Sequence, residues 1–234
     1  MKHWLVCMFI SIGIFSIMAC GEKKKGLDAG KIDSTTMKKN DSTAKKKTIL
    51  FFGNSLTAGY GVEPSQAFPA LVQQKLDSLG LAYTVINAGV SGETTAGGNS
   101  RIDWVLKQPV DIFVLELGAN DGLRGIPVTE TKKNLQSIID KVKAKSPETK
   151  IILAGMQIPP NMGQKYTMQF REVYTTLKEK NDVALIPFLL EGVGGESKLN
   201  QADGIHPTAE GHKILAENVW MVLEKMVGEN SSTP

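Results

Sequence analysis

Between Thr48 and Val227 the chain alternates two hydrophobic rhythms. Short, nearly unbroken apolar runs stand at 48–52 (Thr-Ile-Leu-Phe-Phe), 83–88, 111–117, 150–156 and 183–188. Runs of this length, rich in branched and aromatic side chains, predict buried strands. Between them apolar residues recur at helical spacing over 66–79, 95–107, 128–145 and 164–180, and again from Pro207 to Val227. Proline suits the first turn of that last helix. Strands and helices in strict alternation predict an α/β fold, a five-stranded parallel sheet held between two helical layers.

The two ends of the chain break this rhythm. Lys2 is followed by an uncharged apolar stretch from Trp4 to Ala19, which reads as a secretory signal occupying residues 1–19. At sixteen residues the stretch is short for a membrane span, which needs about 20. Its end, Ile17-Met18-Ala19-Cys20-Gly21, resembles the lipobox of bacterial lipoproteins, which implies cleavage before Cys20 and lipidation of that cysteine. Cys7 would leave with the signal, so the mature chain could form no internal disulfide. Residues 21–47 carry nine lysines against four acids and almost no apolar side chain, too little to build a core. With Cys20 they read as a lipidated flexible tether. As a coil it would reach about 30 Å, enough to hold a domain off a bilayer. The Asp-Ser-Thr triplets at 33–35 and 41–43 resemble acceptor sites of some bacterial O-glycosylation systems. Residues 229–234 read as a disordered tail.

Charge follows the same division. The whole chain carries a net +3, yet only 17 of its 27 basic residues lie in the 48–228 domain, against 19 of its 24 acids. The basic excess therefore belongs to the tether, and nothing points to a nucleic-acid surface.

The candidate chemistry lies at the strand ends. The first strand runs into Gly53-Asn54-Ser55, and a helical pattern follows after Pro64. This puts Ser55 where open α/β sheets bind their ligands. Taken alone, Ser55 fits a turn or helix cap as well as a nucleophile. The second strand delivers Asn87-Ala88-Gly89-Val90-Ser91-Gly92, where Gly89 can turn a backbone N–H toward a ligand. The third delivers Gly118-Ala119-Asn120-Asp121, with an amide donor in Asn120. Near the end stands Asp203-Gly204-Ile205-His206-Pro207. The chain has three histidines: His3 falls in the signal, and His212 reads as a solvated flank of the last helix. His206 is the better base.

These four blocks, in this order and each after its own strand, resemble the SGNH (GDSL-type) hydrolases over about 160 residues. Within that family Ser55-Leu-Thr-Ala-Gly-Tyr-Gly61, Gly118-Ala-Asn-Asp-Gly-Leu-Arg-Gly125 and Pro159-Pro-Asn-Met-Gly163 are similar to the bacterial arylesterases and the multifunctional thioesterase/protease/lysophospholipase branch. One departure is Asn54, where the family more often has Asp. The resemblance implies a flavodoxin-like fold and a serine ester hydrolase needing no metal or other cofactor. It gives Ser55 the role of nucleophile, His206 that of base and Asp203 that of its orienting acid. Ser55, Gly89 and Asn120 would form the oxyanion hole.

It also implies that an acyl chain lies between the loops 155–166 and 190–200. Met156, Ile158, Pro159, Pro160 and Met162 make the first loop apolar, and Gly192, Gly194 and Gly195 make the second mobile. The expected substrates are small acyl esters or thioesters, lysophospholipids among them. A glycan deacetylase on the same catalytic set and a non-catalytic binding lipoprotein are the other readings. The expected partners are the substrate and, through Cys20, a membrane, with no nucleic acid and no obligate protein. The expected location is the bacterial envelope, with Gly21 leaning toward an outer membrane.

Overall fold

The computed structural model describes residues 46–228. The expected signal, Cys20, both Asp-Ser-Thr triplets, all but the last two tether residues and the tail 229–234 lie outside them. Five strands form one parallel sheet in the order β2-β1-β3-β4-β5: β1 (Lys47–Gly53), β2 (Tyr83–Gly89), β3 (Ile112–Glu116), β4 (Lys150–Ala154) and β5 (Ala184–Ile186). Unbroken apolar runs mark strands covered on both faces, and the central strands behave so, with Ile49 to Phe52 and Ile112 to Leu115 buried. The edge strand β2 leaves Ile86 partly exposed.

Seven α-helices accompany the sheet among the described residues: α1 (Ser55–Ala58), α2 (Phe68–Ser78), α3 (Thr95–Val105), α4 (Ala119–Leu123), α5 (Val128–Lys145), α6 (Gln164–Asn181) and α7 (Ala209–Val227). Helix α2 packs against α7, while α5 packs against both α3 and α6, which makes the two outer layers. The inward stripe of α5 is Leu135, Ile138, Ile139 and Val142, the three- and four-residue repeat of one helix face. Helix α7 is capped by Thr208, whose Oγ1 accepts the Gly211 N–H at 3.3 Å. Asp203 lies outside that cap.

His212 departs from expectation. It is fully buried on α7, its ring stacked with Phe68 at 6.2 Å, and its Nδ1 accepts the Phe68 N–H at 3.2 Å. This bond joins α7 to the start of α2. Burial holds the imidazole neutral, bringing its pKa from 6.5 down to about 4, with the His206 charge adding to the effect.

The order of strands fixes where a ligand can bind. From β1 the chain winds one way to β2 and then returns across the sheet to β3. The crevice beyond the carboxyl ends of β1 and β3 is thus the switch point of the sheet. Gly53, Gly89 and Glu116 stand side by side there, Gly53 in register with both.

Candidate active site

Asn54 follows β1 and caps α1: its Oδ1 accepts the Leu56 N–H at 2.9 Å. Ser55 is then the first residue of a four-residue helix. The opening N–H groups of a helix have no intrahelical partner. Here those of Leu56 and Thr57 go to the side chains of Asn54 and Glu116, which leaves the Ser55 N–H for a ligand. The glycine before this turn is required by space. A Cβ on Gly53 would lie 2.1 Å from Thr57 Oγ1 and 2.5 Å from Glu116 Oε2.

The turn aims Ser55 at a histidine 151 positions away in the chain. His206 Nε2 lies 2.9 Å from Ser55 Oγ, and His206 Nδ1 lies 2.7 Å from Asp203 Oδ2. Asp203 Oδ1 accepts the N–H groups of Ile205 and His206, both at 3.0 Å. These bonds, the Ile205 N–H first and the His206 ring second, lower the Asp203 carboxyl to about 2. An ionised Asp203 draws the ring proton to Nδ1, so Nε2 faces the serine hydroxyl as an acceptor. Tyr60 covers the imidazole, ring to ring at 4.6 Å. Gln201 fastens this loop to the end of α1: its Nε2 donates to the carbonyls of Tyr60 (2.8 Å) and Pro207 (2.9 Å).

Ser55 and His206 open into a cavity of about 550 Å³, within the range of small-molecule sites. Met156, Ile158, Pro159 and Pro160 line one part of it and Leu190, Gly194 and Gly195 another. Met162 and Gly192, expected in these walls, do not line it: Met162 packs on the core. The loop expected to be mobile is knit together, since Asn200 Nδ2 donates to the carbonyls of Val193 (2.6 Å) and Glu196 (2.9 Å). Asn120 lines the cavity and spends one amide hydrogen on the Glu93 carbonyl at 3.0 Å. Its other hydrogen remains for a ligand.

Gly89 is a correction. Its N–H goes to Asn87 Oδ1 at 3.0 Å, and it does not line the cavity. A Cβ there would sit 2.3 Å from the Ala58 backbone nitrogen, so this glycine serves the packing of β2 against α1. The residue beside Ser55 and Asn120 in the cavity wall is Gly92, with φ +78° and its carbonyl held by Arg124 at 3.0 Å. Both glycines lie in one six-residue loop motif, and spacing alone does not choose between them.

Sequence reasoning also missed Glu116. An acid ending the apolar run 111–117 was the available signal, because a charge at a buried strand end needs partners. No group of His, Cys, Asp and Glu suited to a metal ion occurs among the described residues.

Residues 51–214 match the GDSL-like Lipase/Acylhydrolase family. The chain belongs to it. Esterase TesA of Pseudomonas aeruginosa is 41% identical over 185 residues, 79% of this chain and 91% of TesA. Thioesterase 1/protease 1/lysophospholipase L1 of Escherichia coli K12 is 37% identical over 189 residues, 80% of this chain and 88% of that protein. A crystal structure of the psychrotrophic esterase EstA from Pseudoalteromonas sp., inhibited by monoethylphosphonate, superposes with a TM-score of 0.73. It is 33% identical and covers 78% of this chain and all of the EstA chain. Family and relatives together make this chain a carboxylic ester hydrolase of the serine esterase/thioesterase kind.

Proposed function

We propose that Ser55, His206 and Asp203 hydrolyse acyl esters or thioesters through an acyl-Ser55 intermediate, in a domain held at the bacterial envelope by lipid on Cys20. The continuous hydrogen-bonded line from Asp203 through His206 to Ser55, at the edge of an apolar-walled cavity, carries the catalytic reading. A serine hydroxyl is a weak nucleophile near neutral pH and needs a base. His206 Nε2 takes the hydroxyl proton as Ser55 Oγ bonds to the carbonyl carbon. Asp203 stabilises the imidazolium so formed. The oxyanion meets the N–H groups of Ser55 and Gly92 and the free amide hydrogen of Asn120. As the tetrahedral species collapses, the imidazolium returns its proton to the departing alcohol or thiol. Water then attacks the acyl-Ser55 by the same steps and releases the acid.

The cavity walls favour acyl chains over acetylated sugars, since apolar side chains offer few partners to sugar hydroxyls. Assay of p-nitrophenyl esters from acetate to palmitate tests the reading. Turnover abolished by Ser55→Ala and by His206→Ala, with an optimum beyond acetate, is the expected result. A peak at acetate alone would turn the reading toward glycan deacetylation. No turnover on any ester, with the fold intact, would overturn it. For the anchor, Cys20→Ser should release the protein from membranes; a wild-type protein already soluble in cell fractions would contradict it.

A further inference from the structure

Glu116 ends β3 directly beneath the nucleophile turn and is 1% exposed. Its two oxygens collect four donors, all from the residues flanking Ser55. Oε1 accepts Asn54 Nδ2 at 2.7 Å. Oε2 accepts the Asn54 N–H at 3.1 Å, the Thr57 N–H at 3.3 Å and the Thr57 hydroxyl at 2.8 Å. The orientation of the Asn54 amide is set from its other end, because Oδ1 is engaged by the Leu56 N–H. Nδ2 must therefore face Glu116. An ionised carboxyl only accepts, and four donors converge on this one; a protonated carboxyl would set an O–H against one of them.

We propose that Glu116, as a carboxylate, is a positioning residue for Ser55, and that Asn54 is its matched donor. This rests on the reading of Ser55 as nucleophile. The pair has a polarity: amide on the turn, carboxylate on the strand. That polarity holds the first turn of α1 at the sheet edge, and with it the 2.9 Å approach of Ser55 Oγ to His206.

The other charged or titratable groups around Glu116 do not supply a counter-charge. Tyr174 of α6 is buried, which raises its phenol well above the usual range, and it donates to the Leu117 carbonyl at 3.0 Å. Asp121 of α4 accepts the Thr95 N–H at 2.8 Å. Arg101 of α3 reaches the Gly53 carbonyl at 3.5 Å but is paired with Glu93. Burial raises Glu116 to about 7, against the opposing pull of the Thr57 and Asn54 bonds. The donors of the turn thus keep the carboxyl able to ionise despite its burial, and the carboxylate prevails above neutral pH.

Changing either side alone breaks the match in a distinct way. Glu116→Gln puts an NH2 group against either Asn54 Nδ2 or the three donors at Oε2. Asn54→Asp sets two carboxyls at about 2.7 Å, which must share a proton. The double variant Asn54→Asp/Glu116→Gln restores every bond with the polarity reversed. The introduced amide then donates to the introduced carboxylate and accepts the three turn donors, while that carboxylate still accepts the Leu56 N–H.

The test is p-nitrophenyl ester hydrolysis by the full chain and the three variants at about pH 8, where the carboxylate form prevails. Glu116→Gln should lose about 10- to 100-fold in kcat with KM little changed, the cost of misplacing a nucleophile. Asn54→Asp, which restores the residue the family more often has, should keep activity while the two carboxyls share a proton and lose it as pH rises and that proton leaves. The double variant should recover at least about tenfold over Glu116→Gln, the sign of direct coupling. A wild-type kcat in Glu116→Gln would overturn the proposal. So would a folded double variant no better than the worse single one. If the wild type itself turns over no ester and Ser55 takes no fluorophosphonate, the hydrolase reading has failed instead.

Discussion

Each candidate catalytic side chain in this protein has a neighbour that decides what it can do. Asp203 stays ionised far into acid because two backbone N–H groups and an imidazole share it. His206 is held between that carboxylate and Ser55, with Tyr60 over its ring. Asn120 is oriented by the Glu93 carbonyl, which leaves its second amide hydrogen for a ligand in the cavity. Asn120→Ala should therefore lower kcat by about 10²–10³ with a smaller effect on KM, the usual cost of one oxyanion donor. Steady-state kinetics on a single ester suffice to check this, and an unchanged kcat would remove Asn120 from the oxyanion hole. That Ser55, Asn120, Asp203 and His206 would meet at one site was legible in the sequence because each sits in a short motif following a strand. The remaining proposed oxyanion donor was not. Gly89 and Gly92 stand three residues apart in one short motif, and only the path of the backbone shows that one ends β2 and supports α1 while the other faces the cavity.

At the level of elements, the strands and long helices follow their hydrophobic periods to within one to three residues at nearly every end. The pieces that build the site do not. Helix α1 has four residues and α4 has five, too short for a periodic signal. Helix α1 is held by tertiary bonds, from Glu116 on the neighbouring strand and from Asn87, whose Nδ2 donates to the Thr57 carbonyl at 2.7 Å. Gly89 tests this arrangement. In Gly89→Ala the new methyl would meet the Ala58 backbone at 2.3 Å, and either β2 or α1 must give way. Urea unfolding should show a loss above about 2 kcal/mol, as expected for a buried steric clash, together with reduced kcat from displacement of Ser55. Wild-type stability in that variant would mean the close approach is not required.

Over the whole molecule, two buried titratable groups pull stability in opposite directions with pH. His212 binds its proton less tightly in the fold, at about 4 against 6.5. The unfolded chain therefore gains protons first, and stability is lost as pH falls from 6.5 toward 4. Glu116 binds its proton more tightly in the fold, at about 7 against 4.5. Its contribution is present below 4.5 and lost as pH rises through 7. Each difference amounts to roughly 3 kcal/mol at its limit, so the two largely offset one another between pH 4.5 and 6.5. His212→Asn keeps an acceptor for the Phe68 N–H and removes one slope. Its stability should fall steadily from pH 4.5 to 7 in urea titrations, whereas Glu116→Gln should show the reverse trend, rising from pH 4 to 6.5. A flat profile in either variant would contradict these assignments. Neither slope was legible in the sequence. His212 follows the helix cap with Glu210 and Lys213 near it, and only its contact with Phe68 reveals that it faces inward.

The proposed chemistry depends on Ser55 as nucleophile and on His206 as the base that activates it. Treating the protein with a fluorophosphonate probe and locating the adduct by peptide mass spectrometry tests this most directly, whatever the natural ester. One adduct is expected, on Ser55, formed rapidly in the wild type, much more slowly in His206→Ala and not at all in Ser55→Ala. An adduct on another residue, or equal labelling of the wild type and His206→Ala, would contradict it.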